Sequence, residues 1–77
     1  MVCSFNLSAI EYYRLTLEKE SPDRKNTTRN NLARLLAENG QLEEAIELYT
    51  QTILADADNE YALKNRKLLQ RRIQTKG

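Results

Sequence analysis

The chain contains no histidine and no tryptophan, one cysteine, one proline and two glycines. With Cys3 alone no internal disulfide can form, and without histidine a structural zinc site of the usual Cys/His kind cannot be assembled. Cys3 reads as a free thiol near a chain end, with no assigned role. No apolar run approaches the roughly 18 residues of a membrane span. The opening MVCSFNLSAIE puts no positive charge ahead of an apolar stretch, unlike a secretory signal, and Val2 excludes the glycine that myristoylation needs. These absences lead us to expect a soluble protein of the cytoplasm, in a reducing compartment, with no membrane partner, no metal and no cofactor.

What is present is helical in character. Apolar residues make up 40% of the chain, Leu, Ala, Glu, Lys and Arg are prominent, and breakers are scarce, which describes a folded helical chain rather than a disordered one. Seventy-seven residues allow one small domain. A chain of this size buries only about 60% of the surface its unfolded form exposes, so its stability margin is thin.

The net charge of +1 conceals an asymmetry. Through Asn59 there are six basic and ten acidic side chains, whereas Lys64, Arg66, Lys67, Arg71, Arg72 and Lys76 beyond it face Glu60 alone. Such a segment could dock on RNA or an acidic partner. It lacks the interleaved aromatics or glycines of a nucleic-acid motif, so we read it as a solvated last helix with cations favourably placed at its C-terminal end.

The sequence also repeats itself. Ala45-Ile46-Glu47-Leu48-Tyr49 matches Ala9-Ile10-Glu11-Tyr12-Tyr13 at a spacing of 36 residues, with Thr52 falling on Thr16 and Ile53 on Leu17. A period of this size is the mark of stacked units, none of which buries its apolar face alone. The spacing of apolar residues predicts a first helix from about Leu7 to Glu20, with Asn6 as N-cap or Ser8 and Glu11 as a capping box, burying Ala9, Ile10, Tyr12, Tyr13, Thr16 and Leu17 as one stripe. Ser21-Pro22-Asp23 ends it and starts a second helix to about Glu38, carrying Leu32, Ala33, Leu35, Leu36 and Ala37. Asn39-Gly40 closes that helix, and a connection of one or two residues forces a third, about Glu43 to Ala55, to fold back as an antiparallel hairpin. Asp56 to Asn59 turns the chain into a fourth helix, about Glu60 to Gln74, capped by Asn59. The expected fold is therefore all-α, an array of about four short helices in one domain over residues 1–77.

These residues resemble a tetratricopeptide repeat, the helix–turn–helix unit of about 34 residues. Leu32-Ala33 is similar to the apolar-plus-small pair of the family's first helix, Leu36 stands in its large-apolar place, Gly40 is its turn glycine, and Ala45, Tyr49 and Thr52 follow its small–aromatic–small second helix. The resemblance makes residues 7–20 a half repeat, 23–55 a full one and 60–74 a capping helix. Arg29 departs from it where the family has a large apolar residue, and the terminal proline is missing from Asp56-Ala57-Asp58-Asn59. Thr28 to Ala33 is similar to the longer repeats of kinesin light chains, and Tyr12-Tyr13-Arg14 resembles, with Tyr12 for the leading Leu, the Leu-Tyr-Arg motif of small mitochondrial assembly factors.

The resemblance implies a groove lined by first-helix side chains, where an Asn before the Leu-Ala pair bonds a peptide backbone. That place is Asn31 here and Asn65 one repeat later, with Asn30 and Lys64 beside them and Arg34 adding a positive charge. An Asn amide carries both a donor and an acceptor and suits a peptide bond in either direction. Tyr13 and Tyr49 occupy equivalent places and are expected in the core, whereas Tyr61 falls outside that pattern and is a contact candidate. Glu43, Glu44 and Glu47 are expected to face water, and no nucleophile is paired with a base. Together these readings describe a non-catalytic protein-interaction module that binds a peptide or partner subunit through Asn30, Asn31, Arg34, Tyr61, Lys64 and Asn65 and is able to self-associate through its first helix. Nucleic acid is not the expected partner. The alternative is a small structural subunit or assembly factor whose basic last helix docks on RNA or an acidic surface.

Overall fold

In the computed structural model, which describes the backbone of residues 2–76 and the side chains of residues 9–74, all regular structure is helical. Helix α1 spans Val2–Lys19, α2 Pro22–Glu38, α3 Leu42–Ala55 and α4 Glu60–Lys76. The fold class expected from the periodicity is thus observed. The start of α1 differs: it begins at Val2 rather than Leu7, because Val2 to Asn6 contain no proline or glycine to stop the helix. Asn6 is therefore not an N-cap, and Ser8 with Glu11 is not a capping box; the side chains of Cys3, Asn6 and Ser8 lie outside the described residues.

Each turn has an identifiable chemistry. Pro22 opens α2, where its missing N–H is not needed, and the Ser21 carbonyl accepts from Arg24 and Lys25 at 3.0 and 3.2 Å. The Ser21 side chain makes no capping bond; instead Thr28 Oγ1, buried in α2, donates to Glu20 Oε1 at 2.7 Å and ties the turn down. At the end of α2 the Gln41 N–H donates to the Leu36 carbonyl at 2.8 Å and the Gly40 N–H to that of Ala37 at 3.1 Å. That is the two-bond Schellman arrangement, and it requires the left-handed φ of +87° that Gly40 adopts. With the helix stopped so abruptly, α3 starts at Leu42 and folds back on α2. Asn59 Oδ1 accepts the Ala62 N–H at 3.0 Å and caps α4, as expected of an Asn just before the helix.

Every helix packs on its neighbours in sequence, and α2 also reaches α4. The backbone forms a slab of 37 × 35 × 13 Å, so the core is thin. It consists of Ile10, Leu32, Ala33, Leu36, Ala45, Leu48, Tyr49, Ala62 and Leu69, with Tyr13, Leu17, Leu35, Ala37, Leu42, Ile46 and Ile53 against it. Ala33, Ala45 and Ala62 are fully buried, and methyl side chains at such sites let helices approach at the short end of the 8–10 Å range. Two expectations need correction. Tyr12, expected in the buried stripe of α1, is 65% exposed because α1 packs on α2 and no helix covers its outer side. Thr28, absent from the expected core, is buried.

Ala33→Leu forces about three carbons into a close-packed seam and is expected to destabilise the chain by about 1–3 kcal/mol, while Glu47→Gln on the exposed side of α3 leaves the melting temperature unchanged. Equal melting temperatures for the two variants would remove Ala33 from the seam. Thr52 is fully buried, and its Oγ1 finds no hydrogen-bond partner among the described residues. Since an unsatisfied buried hydroxyl costs about 1–3 kcal/mol, the like-shaped Thr52→Val should raise stability in chemical denaturation, and a loss of stability would show that the hydroxyl is in use.

Candidate functional site

The surface side of the α2–α4 contact is a groove. Down α4 the residues Tyr61, Asn65, Leu68 and Arg72 recur every three or four positions, one face of a helix; down α2 the same holds for Asn30, Arg34 and Ala37, with Glu38 one turn beyond Arg34. A cleft of about 170 Å³ lies between them, walled by Arg34, Ala37 and Glu38 on one side and Asn65, Leu68, Leu69 and Arg72 on the other, with Tyr49 of α3 at its base. It continues into a wider depression of about 720 Å³ that shares Ala37, Glu38, Leu68 and Arg72 and adds Gly40, Leu42 and Arg71. The abrupt Gly40 turn is what opens that end.

The structure brings together two of the six residues singled out in the sequence. Arg34 and Asn65 face each other across the cleft. Arg34 also pairs with Glu38 at 3.5 Å, an exposed contact one helical turn apart, worth about 0.3–0.5 kcal/mol. The Asn65 amide donates to the Tyr61 carbonyl at 2.7 Å, which orients it on the groove face. Tyr61 is 44% exposed and sets its ring 6.1 Å from that of Tyr49, tilted by 60°. Asn31 is half-buried and Lys64 exposed, and neither lines the cleft. Asn30 is half-buried and donates at 3.5 Å to the same Asn59 Oδ1 that caps α4, so it links α2 to the start of α4.

Leu68, which sequence reasoning passed over, lines both parts of the groove and is 50% exposed. The signal available was its place seven residues after Tyr61, two helical turns along the same face. Arg66 lies on another face of α4: it donates to Thr50 Oγ1 at 3.3 Å, and that hydroxyl donates to the Ile46 carbonyl at 2.8 Å, anchoring α4 to α3. Leu63, Lys67 and Gln70 of α4 are exposed. Glu43, Glu44 and Glu47 are exposed as well, Glu44 paired with Arg14 of α1. Among the described residues no three Cys, Asp or Glu side chains come together as a metal ion needs, and no helix is long and apolar enough to cross a membrane.

No family model, no curated protein and no solved structure matches this chain.

Burial pushes the Tyr49 phenol well above its ordinary value; the neighbouring Tyr61 adds to the shift and Arg34 opposes it. The native state thus holds this proton at a pH where the unfolded phenol, ionising near about 10, has released it. The associated stability is complete below about pH 10 and is lost as pH rises beyond that toward the native value, by up to about 1.4 kcal/mol per pH unit. Denaturant unfolding between about pH 9 and 11 should show a steeper decline for the natural chain than for Tyr49→Phe. Parallel declines would show that Tyr49 ionises equally well in the folded protein.

Proposed function

We propose that this protein is a non-catalytic interaction module of the tetratricopeptide-like kind, acting in the cytoplasm, which holds a peptide segment of a partner in the α2–α4 groove. The observation that carries the reading is the groove itself. It is a cleft of mixed character, lined by Ala37, Tyr49, Leu68 and Leu69 together with Arg34, Glu38, Asn65 and Arg72. A few placed polar groups around an apolar surface are what orient a bound chain. The order of packing, α1 on α2, α2 on α3, α3 on α4, with α2 reaching α4, supports a stacked-repeat reading, because first helices of successive repeats then border one face.

In this reading Asn65 offers its amide to the peptide backbone, Leu68 and the exposed part of Tyr61 receive an apolar side chain, and Arg34 with Arg72 favours a carboxylate nearby. Asn30 acts through the fold, by holding the α4 cap, and Asn31 and Lys64 serve at the margin.

The test is selection of a random peptide library on the purified chain, followed by binding of the selected peptides to variants. Leu68→Ala and Asn65→Ala are each expected to weaken binding by about 1–3 kcal/mol while leaving the melting temperature nearly unchanged, and Asn31→Ala to weaken it less. Glu47→Gln serves as the control. Peptides that bind all variants equally would move the contact surface elsewhere. A chain that selects no peptide but binds RNA with a steep salt dependence would favour the alternative, a subunit docking through the basic side chains of α4.

A further inference from the structure

The internal repeat supplies a comparison for the outer side of α1. Tyr12 on α1 and Leu48 on α3 occupy equivalent places in the internal repeat, 36 residues apart. Leu48 sits on α3, which is flanked by α2 and α4, and is 9% exposed; Tyr12 sits on α1, which packs on α2, and is 65% exposed. Leu15 beside it is 61% exposed. The Tyr12 ring stands edge-on to Tyr13 with centroids 5.6 Å apart, which holds it in place rather than folding it onto the core. A position that the chain buries in one copy of its repeat is thus left open in the other, next to a second large apolar side chain.

The charges around this face say what fits it. Glu11 lies four residues before Leu15 and Lys19 four after; Tyr12 lies three before and Glu18 three after. All four are exposed, whereas Arg14, the other cation on this part of α1, is engaged with Glu44 of its own chain. When two such helices pair antiparallel about a two-fold axis at Leu15, Glu11 of each chain meets Lys19 of the other, and Tyr12 of each meets Glu18 of the other, the phenol donating to the carboxylate. A parallel pairing would set Glu11 against Glu11 and Lys19 against Lys19. We propose that this face of α1 is a self-association surface that receives a second copy of the chain, antiparallel, with Leu15 at the centre and Glu11–Lys19 pairs at both ends. Two-fold contacts of this kind are the commonest closed assembly, and the surface uses no residue of the α2–α4 groove.

Because each dimer contains the Glu11–Lys19 contact twice, a charge exchange tests the geometry. Sedimentation equilibrium of the 77-residue chain across the micromolar range is expected to show a species of twice the 9.0 kDa monomer mass. Glu11→Lys and Lys19→Glu should each weaken the dimer about tenfold or more, since two attractive contacts become repulsive. The double exchange should restore it, and Leu15→Glu should abolish it. Unchanged circular dichroism in all four variants ties the losses to association, which these exposed positions permit. A chain that stays monomeric throughout the range overturns the proposal, as does a dimer indifferent to Glu11→Lys and Leu15→Glu. Single variants that weaken the dimer without rescue in the double exchange overturn the antiparallel pairing.

Discussion

Close approach of helices at alanine is the constraint on which the rest of this structure depends. Ala33 of α2, Ala45 of α3 and Ala62 of α4 are fully buried, one on each of three consecutive helices. With so few residues there is no deep core to absorb a gap, and the apolar side chains that exist must be brought together tightly to be shielded at all. Where the helices meet at methyl groups, Leu36, Tyr49 and Leu69 can close over the seam from either side. The two turns that bracket the α2–α3–α4 unit serve the same end. The Gly40 turn reverses the chain within three residues, and Asn59 both caps α4 and accepts from Asn30, so the entry of α4 is held against α2.

A slab 13 Å thick has two open ends, and this chain finishes them differently. At the α4 end, Arg66 is spent on Thr50, and Leu63, Lys67 and Gln70 face outward, so a mostly polar surface meets water. At the α1 end, Tyr12 and Leu15 face outward. The two ends thus differ in what faces outward, one apolar and two polar side chains on α4 against two large apolar ones on α1.

The groove follows from the same packing. Because α2 and α4 both lie against α3, their adjoining faces border a channel whose base is the ring of Tyr49. The residue that anchors the core thus also lines the candidate site, and its burial there holds the phenol protonated above its ordinary range. The adjoining charges are held loosely: Arg34 has an exposed pair with Glu38, and the two side chains stand about half open to solvent. An exposed pair of this kind contributes little to the stability of the fold.

The number of helices, their order, the hairpin at Gly40, the cap at Asn59 and the burial of Ile10, Leu32, Ala33 and Leu36 were legible in the sequence, because local backbone chemistry and the 3.6-residue period are properties of short segments. The start of α1 at Val2 was not, since neither a stop nor a cap there distinguishes a helix from its approach. Nor was the exposure of Tyr12, which differs from Leu48 in its surroundings and hardly in its pattern. The candidate site was legible only in part. Arg34 and Asn65 could be read from their register, but that Asn30 would serve the α4 cap, that Asn31 would stand off the cleft and that Leu68 would enter it depended on the angle at which α2 and α4 meet. That angle is set by side chains from three helices at once, and periodicity along one helix carries no information about it. By itself the sequence determined which faces are apolar and where the chain turns; which of those faces find a partner within the chain, and which stay exposed, was decided only when the helices packed.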